Sequence, residues 1–422
     1  MKILMLSNVF PPGFIGGFEL GALDVLHGLR QRGHEVRVLT SDYFPGDSGL
    51  HDVHRSLECA LFNHELPALT SLTPASHNFR NIRVVGSHLR DFEPDIVLVF
   101  NLAGLGSLSM VDFLRATGVP TVLYLMDDVF SGTAPERATY DRIFGTFDLG
   151  TDVAAIVMSE NVRREVNETV KGELRVEAQI PGWVDVRAAT STVPAPAVDG
   201  HRRFVYLSVI RPHKGTDLLL DASARLVDAG WSDFDIDVYG NGEIGTFLRD
   251  AAMRGVRDRI HYRGVVDKQD VVAVLSAYDA LLFPTNEREP FGFVAVEAAA
   301  AGCLPILTAG IGAGEWLLDG YDCLKVNRTS DSLASAMQRI MAMPNEELDA
   351  IRHRTRESAR RIFAFDRWLP LIERVCQNEA GRQVRRRTGR EIQGIESSFL
   401  YLGTMLHEAR HGDASQREGV LV

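Results

Sequence analysis

The sequence predicts an α/β protein with two doubly wound domains in one chain. Three observations carry this. Short, continuous apolar runs recur along the chain, longer amphipathic segments separate them, and the whole pattern restarts near residue 204. A continuous apolar run reads as a parallel strand covered on both faces, and strands separated by helices read as a parallel sheet. The 422 residues suit two or three domains.

The first strand is Lys2–Ser7, and Gly17–Gly33 follows as a helix whose Leu20, Leu23, Leu26 and Leu29 form one apolar stripe. Val36–Thr40, Ile96–Phe100, Thr121–Leu125 and Ala154–Met158 continue the strand series. Val186–Arg203, rich in Ala, Pro, Ser and Thr, reads as a linker. The second series runs strand Phe204–Val209, helix Asp217–Ala229, strand Asp235–Tyr239, helix Ile244–Arg254, strand Ile260–Arg263, helix Lys268–Ala277 and strand Ala280–Phe283. A helix near Phe293–Ala301, strand Pro305–Thr308 and two helices, Asp331–Met343 and Leu348–Phe363, complete it. The expected division is a domain over residues 1–185, the linker 186–203, a domain over 204–363, a crossing helix at 364–380 and a basic, amphipathic tail at 381–422.

Composition narrows the function. Forty-five Lys and Arg against 56 Asp and Glu give a net charge of −11, which argues against a dominant nucleic-acid surface. Cys59, Cys303, Cys323 and Cys376 are scattered, with no CxxC or Cys/His cluster for zinc and no disulfide framework. The apolar run at the start is short for a signal peptide, and no uncharged apolar stretch is long enough to span a bilayer. A soluble, cytoplasmic protein is expected.

Three segments carry chemistry. In Arg288-Glu289-Pro290-Phe291-Gly292-Phe293, a strand gives way to a helix whose free N–H groups can hold an anion or sugar hydroxyls. Glu289 stands before that helix and Glu297 two turns inside it. The pair can hold hydroxyls on two parts of one ligand, or Glu289 can cap the helix while Glu297 is solvated. Glu297 lies in a run of Ala and Val, where a buried carboxylate needs a partner. In Ser208–Gly215, Arg211 and Lys214 follow a strand and can neutralise a diphosphate, or can be ordinary surface cations. In Asn8–Glu19, Gly16 and Gly17 open a helix and permit close backbone approach to a ligand, as they would in a plain turn.

These pieces, in this order, resemble the retaining nucleotide-sugar glycosyltransferases of family 4, on the glycosyltransferase-B fold. The resemblance covers about residues 1–375 and includes Arg32-Gly33-His34-Glu35-Val36, Ser159-Glu160, Tyr239-Gly240-Asn241-Gly242 and Gly312–Glu315. It implies two Rossmann-like domains facing across a cleft, the first on the acceptor side and the second binding the donor nucleotide. It implies that Glu297 binds the ribose and that Glu289 binds donor-sugar hydroxyls, with the N–H groups of Phe291, Gly292 and Phe293. Lys214, with Arg211, would bind the diphosphate, and Gly16 and Gly17 would face the donor. The family carries a His where this chain has Met126, which implies a different donor sugar, a role for Asp127 or Asp128 in its place, or lost activity, with Asp127 taken as the catalytic candidate. The implied reaction transfers a sugar to a hydroxyl acceptor, glycan or lipid-linked, with retention and without a metal or other cofactor. The alternatives are a sugar-nucleotide epimerase of similar fold and a non-catalytic nucleotide-sugar-binding subunit.

Two further patterns read as decoys. Gly240-Asn241-Gly242-Glu243-Ile244-Gly245 matches GxGxxG, but on the second strand of its domain rather than the first. Asp235-Ile236-Asp237 matches DxD, and its acids read as solvated at a sheet edge. In the tail, Arg382, Arg385, Arg386, Arg387 and Arg390 precede Ile392, Ile395, Phe399, Leu400 and Leu402. This tail suits a peripheral contact with anionic lipid at the inner membrane face, a helix packed on the protein's own acidic surface, or a homodimer contact.

Overall fold

The structure is a computed structural model. It describes all residues except 14–15, 45, 47, 61–76, 132–139, 142–146, 150–151, 185–199, 383–384 and 403–422. The chain divides into two compact units, Met1–Ile180 with Trp368–Val422, and Pro181–Arg367. Most of the expected linker lies outside the described residues.

The first unit is built on β1 (Lys2–Ser7), β2 (Glu35–Ser41), β3 (Val53–Leu57), β4 (Ile96–Asn101), β5 (Thr121–Leu125), β6 (Ala154–Val157) and β7 (Arg175–Gln179). They pair in the order β3-β2-β1-β4-β5-β6-β7, every pair parallel. Helices α1 (Gly17–Gln31), α2 (Phe79–Phe92), α3 (Ser107–Thr117) and α4 (Glu160–Val170) connect the strands. β1, β4, β5 and β6 are almost wholly buried, as their unbroken apolar runs require.

The second unit repeats the plan with β8 (Arg202–Leu207), β9 (Phe234–Tyr239), β10 (Ile260–Gly264), β11 (Ala280–Phe283), β12 (Leu304–Thr308) and β13 (Leu324–Val326). Their order is β10-β9-β8-β11-β12-β13, again all parallel. Around them lie α5 (Thr216–Asp228), α6 (Ile244–Met253), α7 (Val271–Leu275), α8 (Phe293–Ala301), α9 (Ser330–Ala342) and α10 (Asn345–Ile362). Lys268–Ala277 departs from the single helix expected. Lys268–Asp270 is a 3-10 turn, and only Val271–Leu275 is α-helical. In both units the strand order reverses beside the first strand, the topology in which ligands bind beyond the carboxyl ends of the strands.

Helix α11 (Phe365–Ala380) begins at the end of the second unit and belongs to the first from Trp368 onward. Trp368, Leu369, Ile372, Val375 and Cys376 are its buried face. Arg175 on the edge strand β7 grips it, with Nη1 2.8 Å from Glu379 Oε1 and Nη2 2.6 Å from Oε2. A last helix, α12, covers residues 389–402. Ile392 is buried in the core of the first unit, with Ile395 and Phe399 packed against that core. The Phe399 ring meets Phe113 edge-on, and Glu396 is ion-paired with Arg90. The tail thus packs on its own unit, but on an apolar surface and an arginine rather than the acidic surface expected. The arginines at 382, 385, 386 and 390 remain exposed.

Candidate active site

The site of the second unit lies at its switch point, where the turns after β8 and β11 meet. Those turns are laced together. The backbone N–H of Asn286 donates to the His213 carbonyl (3.0 Å), as does the Thr285 hydroxyl (3.1 Å), and Asn286 Nδ2 donates to the Pro212 carbonyl. Gly215 makes this closeness possible. It has φ +81°, and a Cβ there would stand 1.8 Å from the Pro284 carbonyl oxygen. From below, the hydroxyl of the buried Tyr206 donates toward the Val209 and Lys214 carbonyls. The backbone on both sides of Lys214 is therefore held against the end of β11.

The consequence is that two expected site residues, 75 positions apart, form an ion pair. Lys214 Nζ is 2.8 Å from Glu289 Oε2, and both side chains are largely buried. Beyond Glu289 the chain turns into α8. Gly292 caps it at φ +84°, and the Phe291 and Phe293 rings pack edge-on with centroids 5.0 Å apart. Among the described residues, none accepts a hydrogen bond from the N–H of Phe291, Gly292 or Phe293. These donors sit beside Glu289 at a helix start, where partial positive charge gathers.

Glu297 is inside α8 and 6% exposed, surrounded by buried Ala295, Val296, Ala298 and Ala299. Its partner is Lys268, whose Nζ bonds Glu297 Oε1. Burial pushes the Glu297 carboxyl above the usual carboxylate range, and Lys268 opposes that rise. Glu297 is therefore not the solvated helix residue that remained open from its sequence. Lys268 was not identified from the sequence as a site residue. The available signal was the buried carboxylate itself, which demands a cation, but sequence spacing does not say which one.

The remaining candidates are more dispersed. Arg211 lines a small cavity with Asp217, Glu243 and Asp250, beside α5 and α6. In the first unit, Gly16 is the N-cap of α1 and Gly17 its first residue. The Gly16 N–H donates to Glu19 Oε2 (2.9 Å), and a Cβ on Gly16 would meet nothing within 4 Å. Its backbone is extended, so nothing among the described residues of this unit requires glycine there. Met126 is buried at the end of β5. Asp127 is half-buried and accepts the Asp128 N–H, while Asp128 accepts from the Phe130 N–H and the Thr169 hydroxyl.

The model for "Glycosyl transferase 4-like domain" matches residues 16–181, and that for "Glycosyl transferases group 1" matches residues 201–343. The chain belongs to the family 4-type glycosyltransferases. It is 27% identical over 349 residues to the phosphatidyl-myo-inositol mannosyltransferase of Mycobacterium leprae, covering 79% of this chain and 85% of that protein. It is 24% identical over 399 residues to the glycogen synthase of Mycobacterium tuberculosis, covering 89% and 94%. Its fold matches that of Anabaena HepE, whose structure is a complex with UDP-glucose. The TM-score is 0.65 at 18% identity, over 90% of this chain and 100% of that one. The two Rossmann-like domains and sugar transfer as the activity follow from this membership.

In this glycosyltransferase both decoy patterns have structural roles. Gly240 and Gly242 bring the turn after β9 against the turn after β8. A Cβ on Gly240 would lie 1.9 Å from the Ser208 carbonyl oxygen, and Ile210 pairs with Gly242. The Asp pair does not stand at a sheet edge, because β9 lies between β10 and β8, and of the two only Asp235, 37% exposed, meets solvent appreciably. Asp235 bridges His201 (2.9 Å) and His261 (3.0 Å). Asp237 is buried, accepts the Tyr278 hydroxyl (2.7 Å) and pairs with Arg263 (3.0 Å). No group of three metal-ligating side chains occurs among the described residues, and no described helix is long and apolar enough to cross a membrane.

Proposed function

We propose that the protein transfers a sugar from a nucleotide-diphosphate donor to the hydroxyl of a glycan or lipid-linked glycan, with retention of anomeric configuration. The observation that carries this is the Lys214–Glu289 pair at the switch point, with Glu297 as the fifth residue of α8, one turn inside the helix rather than the two expected. In the reading, the donor diphosphate replaces Glu289 as the partner of Lys214. Glu289 is then released to accept hydrogen bonds from sugar hydroxyls, and the N–H groups of Phe291, Gly292 and Phe293 donate to the sugar or phosphate. Glu297 binds the ribose. As the glycosidic bond to phosphate breaks, negative charge develops on the leaving diphosphate. Lys214 and the start of α8 stabilise it, with Arg211 as a second cation. These groups supply the charge stabilisation without a metal or other cofactor.

No side chain of the reading is placed as a covalent nucleophile, so the acceptor hydroxyl attacks from the face the diphosphate leaves. Gly16 and Gly17, with bare backbone at the start of α1, and Asp127 are the first unit's candidates for contact with sugar. The M. leprae relative acts on a phosphatidyl-myo-inositol acceptor and HepE binds UDP-glucose, which supports the substrate classes without choosing among them. The test is a thermal-shift screen of nucleotide sugars. Turnover of each binder is then measured with and without EDTA, and the anomeric configuration of the product is read by NMR. Retained activity in chelator and a product with the donor's configuration are expected. Inversion, or activity restored only by added Mg²⁺ or Mn²⁺, would overturn the corresponding part.

A further inference from the structure

Glu297 carries two oxygens in different circumstances. Oε1 is bonded by Lys268, whereas Oε2 takes no hydrogen bond among the described residues, and the side chain as a whole keeps 7% of its surface exposed. Lys268 reaches in from the 3-10 turn Lys268–Asp270 that follows β10, and its own side chain is 46% exposed. The elements packed on α8 bring no other charge onto Glu297 among the described residues. Arg352 of α10 is bound to Asp279 and to the Gly302 and Ser276 carbonyls, and Glu315 of the neighbouring 3-10 turn is exposed. One solvated cation thus offsets the burial of one carboxylate.

We propose that Lys268 is a positioning residue for the donor nucleotide: by bonding Oε1 it keeps Glu297 ionised and leaves Oε2 open to accept a hydrogen bond from a ribose hydroxyl. The proposal rests on the reading of Glu297 as the ribose contact. A buried carboxylate without a cation favours its protonated form, because desolvation penalises charge. A protonated Glu297 accepts a weaker hydrogen bond than an ionised one, since bonds to charged groups are roughly twice as strong. Lys268 therefore affects binding through the protonation state of Glu297, and its removal leaves a pH signature. Without Lys268 the Glu297 carboxyl titrates at higher pH, so affinity falls on the acid side and recovers on the alkaline side.

The experiment titrates UDP, GDP and ADP calorimetrically into the full chain, as wild type, Lys268→Met, Lys268→Gln, Lys268→Arg and Glu297→Gln. It runs from about pH 6 to about pH 9, each variant is compared with wild type at the same pH, and melting curves establish folding. Lys268→Met and Lys268→Gln should bind about tenfold more weakly near the acid end and converge on wild type at the alkaline end. Lys268→Arg should restore the wild-type profile, and Glu297→Gln should be weaker at every pH. If the neutral variants bind like wild type throughout, or weaken by one constant factor, the role of Lys268 is overturned while a loss in Glu297→Gln leaves the ribose reading standing. Wild-type affinity in Glu297→Gln overturns that reading and this proposal together. Failure of folded wild type to bind any of the three nucleotides overturns the donor site itself.

Discussion

Glu297 pays a stability cost for its place inside an alanine-rich helix. Burial raises its pKa, so the folded state holds the proton more tightly than the unfolded chain does. For a raised pKa, the stabilising contribution is fully present below the unfolded value and is lost as pH rises through the folded value. Ionisation of Glu297 therefore weakens the fold, and at pH above the folded value Glu297→Gln should raise the melting temperature while it weakens donor binding. Lys268, left without its partner, is solvated enough to tolerate the change. A Glu297→Gln protein that melts lower than wild type would contradict this. Lys214→Ala should behave differently. Its ion pair with Glu289 is largely buried, so its loss should cost the fold roughly 1–3 kcal/mol. Charge stabilisation of the leaving diphosphate is worth about 3–4 kcal/mol by analogy with other preorganised donors, a rate loss of roughly a hundredfold to a thousandfold. Turnover measured beside a melting curve separates the two effects.

Elements explain what was legible in the sequence. The unbroken runs of β1, β5 and β11 revealed those strands to the residue, because covered parallel strands are apolar on both faces. Of the four edge strands only β10 was read, and β3, β7 and β13 were not. β3 is Val-His-Arg-Ser-Leu and β7 is Arg-Val-Glu-Ala-Gln, both polar and largely half-exposed, and β13 has only three residues. The need of Glu297 for a partner was legible from its apolar neighbours, but the identity of Lys268 was not, because it depends on how the turn after β10 packs beside α8. Polar β7 also has a use that its sequence does not disclose, namely Arg175 holding α11 through Glu379. Burial pushes the Glu379 carboxyl up, but hydrogen bonds and charge from Arg175, with Arg382, prevail and hold it below the ordinary value. For a depressed pKa, the stabilisation is present above the unfolded value near 4.5 and is lost as pH falls through the folded value. Arg175→Met should therefore destabilise the first unit at neutral pH by roughly 1–3 kcal/mol and flatten its loss of stability in acid. Equal acid sensitivity in wild type and variant would exclude the pair as the cause.

Among the described residues, each unit has a hydrophobic core cluster of its own, and the described part of the tail packs on that of the first. Arg382, Arg385, Arg386 and Arg390 are exposed, but Ile392, Ile395 and Phe399 pack on the core of the first unit, and that difference decides what truncation should do. Burying an isoleucine such as Ile392 contributes about 1.5–3 kcal/mol, and Phe399 adds a ring contact with Phe113. Ending the chain after Ala380 should therefore lower the stability of the first unit and speed amide exchange in α2 and α3. Exchange in the second unit should stay unchanged. Conversely, a nucleoside diphosphate at a hundred times its dissociation constant stabilises the unit that binds it by ~2.7 kcal/mol, and the protection should centre on residues 208–215 and 289–297. Hydrogen exchange resolved by peptide, on the full and shortened chains with and without nucleotide, reads both effects at once. Anionic-vesicle sedimentation of the same two proteins tests the remaining role for the exposed arginines. A shortened chain that keeps its melting behaviour but loses salt-sensitive vesicle binding would show that the tail serves a membrane surface rather than the core of its own unit.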